Sequence, residues 1–434
     1  VRAVRVLYLV HQYLPEHVGG TELYTQSVAR ALADSGHQVG IFYRRSADGV
    51  GLARRNDDGV AVWAAWASAP SPTRRFLATF GDPPIQRAFQ EVLDQARPDL
   101  VHVQHLMGLP AQLLGAVSRR HIPMVVTLHD YWWICANAQL VTNYDQTVCR
   151  GPAAGWLNCG RCALARGGAG RLWPAAPGPM PLLAWRERIL RGALSRAARI
   201  IAPTRFVKDW YAEHGLAADR IEVLPHGITR SNVPGTCEVP GTWPDRPSAP
   251  FRIAYIGGLS WQKGVHVLIE AFNHLPPGAE LWIGGDESFD PTYARSLHTR
   301  ARPGVIFLGA LSHTQVWETL RQVDAVAVPS LWYETFSLIA HEAFAAGVPV
   351  VASRLGALAE AVRDDVDGLL VPPGDVDAWR AVLQRLMDDP ATLARLRAGV
   401  QRPLELAQHI QRLSDIYAQV VVGASGSEHP IARS

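Results

Sequence analysis

The sequence predicts two doubly wound α/β domains of Rossmann-like type facing a cleft, and three observations carry that prediction. Short β-branched apolar runs alternate with helical patterns in both halves of the chain. A stretch rich in Pro and Gly, SNVPGTCEVPGTWPDRPSAP, interrupts the alternation between Arg230 and Pro250. The 434 residues, 48% of them hydrophobic, also exceed the usual size of one such domain.

The first half opens with a strand over Val4 to Val10 and a loop ending in Gly19-Gly20. A helix from Thr21 to Ser35, stopped by Gly36, and a strand from Gln38 to Tyr43 complete a βαβ unit, so the sheet should be parallel. Apolar runs near Val101, Val125, Ile200 and Val223 continue it, each ending in a polar residue. Ligands of open parallel sheets sit beyond those carboxyl ends, which nominates His129, Asp130, Thr204 and His226 together. After the break, strand signals recur at FRIAYIG, AELWIGG, GVIFLG, DAVAVPS and VPVVAS. Helices are expected from about Gly264 to His274, Thr314 to Gln322 and Ser337 to Ala346, with a capping box of Ser312 and Gln315 on the middle one. The expected organisation is a domain over 1–229 with a cysteine-bearing insertion at about 131–180, a linker over 230–250 and a second domain over 251–404. A helix over 405–422 would pack back on the first domain, ahead of a disordered tail over 423–434.

A formal charge of +3 does not suggest nucleic acid as partner. No apolar run reaches roughly 18 residues and no secretion signal is seen, so the expected location is the cytoplasm, at the inner face of the membrane if a lipid-linked substrate is used. The absence of Gly-x-Gly-x-x-Gly after the first strand of either half argues against a dinucleotide dehydrogenase. Of the 14 tryptophans, Trp132, Trp133, Trp156, Trp173 and Trp332 fall in irregular stretches, where a ring can cover a sugar or fill the core.

The most informative segment is SLWYETFSLIAHEAFAAGVPVVAS, Ser330 to Ser353, which reads as strand end, loop, helix and strand. Glu334 lies in the loop and Glu342 within the helix. The helix start at Phe336, Ser337 and Leu338 offers N–H groups and a positive dipole end to a phosphate. One carboxylate on each side of an anion site matches the layout of a nucleotide sugar.

This segment closely resembles the Glu-x7-Glu motif of the family-four retaining glycosyltransferases, which have the GT-B fold. The resemblance extends along the chain through Gly19-Gly20, the THD-like step Thr127 to Asp130, the Pro225-His226-Gly227 step, the Lys263-Gly264 pair and DGLLVPPGD from Asp367 to Asp375. It implies that Glu342 binds the donor ribose, that Glu334 contacts hydroxyls of the transferred sugar, and that Lys263 and the N–H groups after Thr335 hold the diphosphate. Gly20 matches the loop that approaches the same phosphates, and His129 the histidine near the reacting centre. It further implies transfer with retention to a hydroxyl of a glycan, lipid-linked or small-molecule acceptor, from a UDP- or GDP-sugar and without a catalytic metal. The chain departs from the pattern at Gly258, where the family usually has an arginine. Lys263 must then do more, or Arg205 or Arg354 must substitute, because a leaving diphosphate gathers negative charge. Competing readings are a nucleotide-sugar epimerase, a sugar phosphorylase, or a binding protein without activity.

Two further signals stand apart. Cys135, Cys149, Cys159 and Cys162 cluster in the insertion and would form either a structural zinc site or a set of free thiols and occasional disulfides. The stretch from Trp185 to Arg199 mixes apolar residues with five arginines, which reads either as a helix lying on an anionic membrane or as a domain helix with a solvated basic face.

Overall fold

The computed structural model describes residues 3–68, 71–229 and 250–426. The linker expected over 230–250, apart from Pro250, and the part of the expected tail beyond 426 therefore lie outside the described residues, while 423–426, expected to be disordered, continue the last helix. The chain divides into two compact units. The first runs to Gly227 and takes back the residues from Leu406 onward, and the second runs from Ile228 to Glu405.

The first unit is built on β1 (Arg5–Val10), β2 (Gln38–Arg44), β3 (Val50–Asp57), β4 (Val60–Ala67), β5 (Leu100–Val103), β6 (Met124–Thr127), β7 (Arg199–Ala202) and β8 (Ile221–Val223), in the spatial order β3-β4-β2-β1-β5-β6-β7-β8. Every pairing but β3 with β4 is parallel. The central strands are buried nearly end to end, as parallel strands covered on both faces require. The antiparallel pair is a feature the sequence reading did not anticipate. Its turn is Asp58-Gly59, both at positive φ (49° and 85°), the conformation that lets a two-residue hairpin match the strand twist. The edge strand β3 is largely exposed and carries Arg54 and Arg55, charges that discourage further pairing.

The second unit holds β9 (Phe251–Ile256), β10 (Ala279–Gly284), β11 (Val305–Gly309), β12 (Ala325–Val328), β13 (Val350–Ser353) and β14 (Gly368–Val371), all parallel, in the order β11-β10-β9-β12-β13-β14. Alternate residues of a strand enter different cores. Ile253, Tyr255, Ala325, Ala327 and Val351 pack with the helices Val265–Asn273 and Val376–Asp388 on one face. Ala254, Val326, Val328, Val350 and Ala352 pack with Ala340 and Phe344 of the helix Leu338–Ala345 on the other. This two-sided burial makes each domain a doubly wound α/β sheet. The capping box on the helix His313–Leu320 is formed, Ser312 and Gln315 each accepting the other's backbone N–H.

The helix Leu406–Gly426 packs within the first unit through a buried polar chain. The Tyr417 hydroxyl lies 2.8 Å from that of Tyr8 and 2.6 Å from Nδ1 of His102, whose Nε2 lies 2.8 Å from Oγ1 of Thr127. These links join the helix to β1, β5 and β6, because buried polar groups of this kind hold only where each finds its partner.

The insertion is more ordered than a loop. It contains the helix Leu157–Arg166, which carries Cys159 and Cys162 at i and i+3, and the helix Met180–Leu194. The second helix is a domain helix. Arg186 is buried, donates to the Trp132 carbonyl at 2.6 Å and stacks over its ring at 4.6 Å, while Arg191 pairs with Glu187 at 2.6 Å. Arg199 begins β7 instead of extending the helix. Of the five arginines considered from the sequence as a lipid-facing stripe, Arg186 is thus buried and Arg199 lies outside the helix, while Arg191 stays partly exposed. Trp132 and Trp133 are core residues, whereas Trp173 and Trp185 are exposed. No helix among the described residues is long and apolar enough to cross a membrane.

Candidate active site

In the second unit, two loops at strand carboxyl ends are tied together at Glu334. The chain leaves β9 through Gly257-Gly258, makes a short turn over Trp261–Lys263 and enters the helix Val265–Asn273. Gly264 sits at φ 72°, and a Cβ there would lie 1.9 Å from the Pro329 carbonyl, so this position admits only glycine. That close approach brings Lys263 beside the loop following β12. Its Nζ lies 2.7 Å from Oε1 of Glu334, which also accepts from Ser330 Oγ at 2.7 Å and from Trp332 Nε1 at 3.0 Å. Lys263 further lies 5.1 Å above the Trp332 ring. Glu334 is only 6% exposed, and a buried carboxylate is tolerated because three donors meet one of its oxygens.

The helix after Glu334 begins at Ser337, which holds a left-handed conformation (φ 66°, ψ 84°) and supplies no side-chain cap. The first-turn N–H groups of Leu338–Ala345 are thus not satisfied by their own N-cap side chain, and they carry the positive end of the helix dipole. Phe336 is buried and stacks on His341 at 3.8 Å, fixing this entry. Glu342 lies further along the same helix. Burial pushes its carboxyl up to about 7, with no cation to oppose the shift. A Cβ at Gly258 would meet nothing within 4 Å, so this position opens into free space. Arg354 is engaged by Asp364 and the Leu370 carbonyl, and Arg205 opens the helix Arg205–Glu213 of the first unit.

In the first unit the ends of β1, β5 and β6 converge on a cluster of imidazoles. His129 Nε2 lies 2.5 Å from Gln104 Oε1, and burial, reinforced by His105, holds His129 down to about 3. His105 Nε2 donates to Asp130 Oδ2 at 2.8 Å while its Nδ1 accepts from Met107 N, and Asp130 Oδ1 accepts from Trp132 N at 2.8 Å. Tyr24 packs against His129, His226 and His409. His409 holds the Pro225 carbonyl at 2.8 Å, and a Cβ at Gly227 would strike Leu406 Cα at 2.6 Å, which explains the glycine of the Pro-His-Gly step. His129, Asp130 and His226 are thus gathered as the sequence suggested. Thr204 instead caps the helix Arg205–Glu213, accepting from Val207 N at 3.3 Å. Gly20 is the first residue of the helix Gly20–Asp34. His11, Glu22, Gln104 and His105 were not singled out from the sequence, although Gln104 and His105 leave β5 as His129 leaves β6.

The four cysteines are free, and burial raises the thiols of Cys135 and Cys159 and pushes Cys162 up to about 11. Among the described residues no group of three or more His, Cys, Asp or Glu is arranged to hold a metal ion. A cavity of about 490 Å³ beside the helix Met180–Leu194, lined by Trp156, Glu187, Arg188 and Arg191, shares no residue with either strand-end cluster.

The profile of Glycosyltransferase Family 4 matches residues 18–231, and that of Glycosyl transferases group 1 matches residues 244–402. The chain belongs to the family-four glycosyltransferases. The glycogen synthase of Mycobacterium tuberculosis is 26% identical over 98% of this chain and 96% of its own length. A D-inositol 3-phosphate glycosyltransferase of Xylanimonas cellulosilytica is 29% identical over 92% of each. Among solved structures, a sucrose-phosphate synthase from Thermosynechococcus elongatus superposes with a TM-score of 0.70 at 19% identity, covering 96% of this chain and 99% of that one. Anabaena HepE in complex with UDP and glucose gives 0.63 at 18% identity with the same coverage. The glycosyltransferase thus has the GT-B fold.

The raised pKa of Glu342 makes a stability prediction with a definite sign. Between its ordinary value of 4.5 and about 7 the folded state binds more protons than the unfolded state, so stability falls as pH rises through this window. The loss should approach ~3 kcal/mol. Denaturant midpoints of Glu342→Gln, measured from pH 4.5 to 7.5, should lack that fall relative to the parent protein, and parallel profiles would show that Glu342 ionises normally.

Proposed function

We propose that this glycosyltransferase transfers a sugar from a nucleoside diphosphate sugar to an acceptor hydroxyl with retention of the anomeric configuration. The observation that carries the reading is the convergence of Lys263, Ser330 and Trp332 on Oε1 of Glu334, just ahead of the uncapped start of Leu338–Ala345. In this reading Lys263 and the first-turn N–H groups hold the diphosphate, Glu334 accepts hydrogen bonds from hydroxyls of the transferred sugar, and Glu342 accepts them from the ribose. The bond from the anomeric carbon to the phosphate oxygen breaks, the acceptor oxygen bonds to that carbon on the same face, and the acceptor proton passes to the leaving phosphate. Positive charge preorganised at the diphosphate favours this step, because the negative charge grows there. With glycine at 258, Lys263 and the helix start carry that task.

His129, neutral and fixed by Gln104, serves on the acceptor side as a hydrogen-bonding group, since an imidazole held near 3 is a poor proton acceptor at neutral pH. The complexes of related folds with UDP and glucose and with ADP and acarbose support a nucleotide-sugar donor. A thermal-shift panel of UDP-, GDP- and ADP-sugars identifies the donor base, because a ligand of the native state raises apparent stability. Glu334→Ala and Glu342→Ala should each lower acceptor-dependent transfer by about 10²-fold. Undiminished transfer in both variants would sink the site assignment, and conversion of the donor without any acceptor would favour an epimerase.

The reading includes a structural zinc ion at the cysteine-bearing insertion. Cys149 Sγ accepts from Gly151 N at 3.4 Å and Cys162 Sγ from Asn143 N at 3.3 Å, N–H donors of the kind that support thiolate ligands. The sulfurs must draw closer for all four to bind one ion. Elemental analysis of protein purified under reducing conditions should return one zinc per chain, lost in Cys159→Ser; metal-free folded protein would refute the site.

A further inference from the structure

The strand ends of the first unit contain three buried polar atoms that the fold leaves unsatisfied. His11 directly follows β1, and Gln104 directly follows β5, its backbone N–H bonded to Leu9 of β1 at 2.8 Å. Glu22 comes from the first turn of the helix Gly20–Asp34 and approaches His11, the residue after β1. Glu22 is 2% exposed and Gln104 fully buried. His11 Nδ1, Glu22 Oε1 and Gln104 Nε2 have no hydrogen-bond partner. The first two face each other at 3.8 Å, too far for a direct bond.

Each such atom costs about 1–3 kcal/mol if left unpaired in the folded state. Three of them, two at adjacent strand ends and one at the neighbouring helix start, are not explained by packing. Two neighbouring groups show the contrast: His105 is satisfied at both nitrogens, by Asp130 and Met107 N, and Gln104 Oε1 is occupied by His129. What is left over is one amide donor, one carboxyl oxygen and one nitrogen of a neutral imidazole, since burial holds His11 well below its ordinary range. A hydroxyl both donates and accepts, so a pair of hydroxyls can satisfy this set. A phosphate or carboxylate cannot, because it would face Glu22.

We infer that His11, Glu22 and Gln104 form a subsite for neighbouring hydroxyls of a neutral polyol, a sugar or cyclitol, which serves as the acceptor. The inference rests on the glycosyltransferase reading above and adds to it the class of acceptor and the residues that choose it. Gln104 is central, because its amide oxygen fixes His129 while its amide nitrogen is kept for the ligand. Glu22 and Gln104 are positioning and specificity groups for the acceptor, set in a different unit from the donor residues around Glu334.

The test uses the full chain with glucose, maltose and myo-inositol as probes, and UDP as a separate probe of the donor site. At least one polyol should bind the parent protein and serve as acceptor. Glu22→Gln and Gln104→Ala should each weaken that binding and raise the acceptor KM tenfold or more, while UDP affinity changes less than twofold. The two variants are independent, so failure of one to fold leaves the other to decide, and the UDP response reports that the variant is folded. Unchanged polyol affinity in a folded variant, or no binding of any of the three polyols to the parent protein, would overturn the subsite. Loss of UDP binding by the parent protein would instead overturn the donor reading.

Discussion

The ion pair between Lys263 and Glu334 joins two loops that lie 71 residues apart in sequence, and the strand-end loops of the second unit are organised around it. A lysine so placed would be a mobile surface cation if its loop were free to move. It is held because Gly264 lets the backbone approach Pro329 more closely than any side chain would permit, and because Leu331 N bonds the Gln262 carbonyl at 2.7 Å. Glu334 in turn could not remain buried without its three donors. The cation, the carboxylate and the uncapped helix start are therefore one constructed unit, and a change to any of them alters the electrostatics felt at the others.

The first unit solves a different problem. Its strand ends are lined with histidines, and burial holds His11, His102, His129 and His409 below the ordinary imidazole range, so these four present hydrogen bonds without positive charge. The final helix is part of that construction: Tyr417 reaches His102 and Tyr8, and His409 reaches Tyr24 and the Pro225 carbonyl. The histidine cluster is thus shaped by residues nearly the whole length of the chain apart. Charge concentrated on one unit and neutral polarity on the other suit a reaction that joins a diphosphate sugar to an uncharged hydroxyl.

Much of this was legible in the sequence because it rests on local pattern. Buried parallel strands read as continuous apolar runs, Ser312 and Gln315 announce their helix start, and the spacing of Glu334 and Glu342 marks a loop and a helix. Other features were hidden because they depend on long-range contact. Nothing local ties Tyr417 to Tyr8, and Glu22 looks like an ordinary first-turn acid until His11 is found beside it. The hairpin of β3 and β4 was readable from Asp58-Gly59 between two alternating runs, yet the surrounding β-α alternation drew the reading toward an all-parallel sheet. Arg186 shows the reverse error: five arginines in a short segment suggest a solvated stripe, and tertiary packing buries one of them against Trp132.

The claim on which the account turns is that the loop 257–264 and the loop and helix start over 334–343 receive the donor diphosphate. Amide hydrogen exchange of the full chain with and without saturating UDP tests it most directly. The account predicts slowed exchange in both segments on binding, strongest at the first turn of Leu338–Ala345. Binding of UDP that leaves both segments unchanged while protecting other parts of the chain would contradict it.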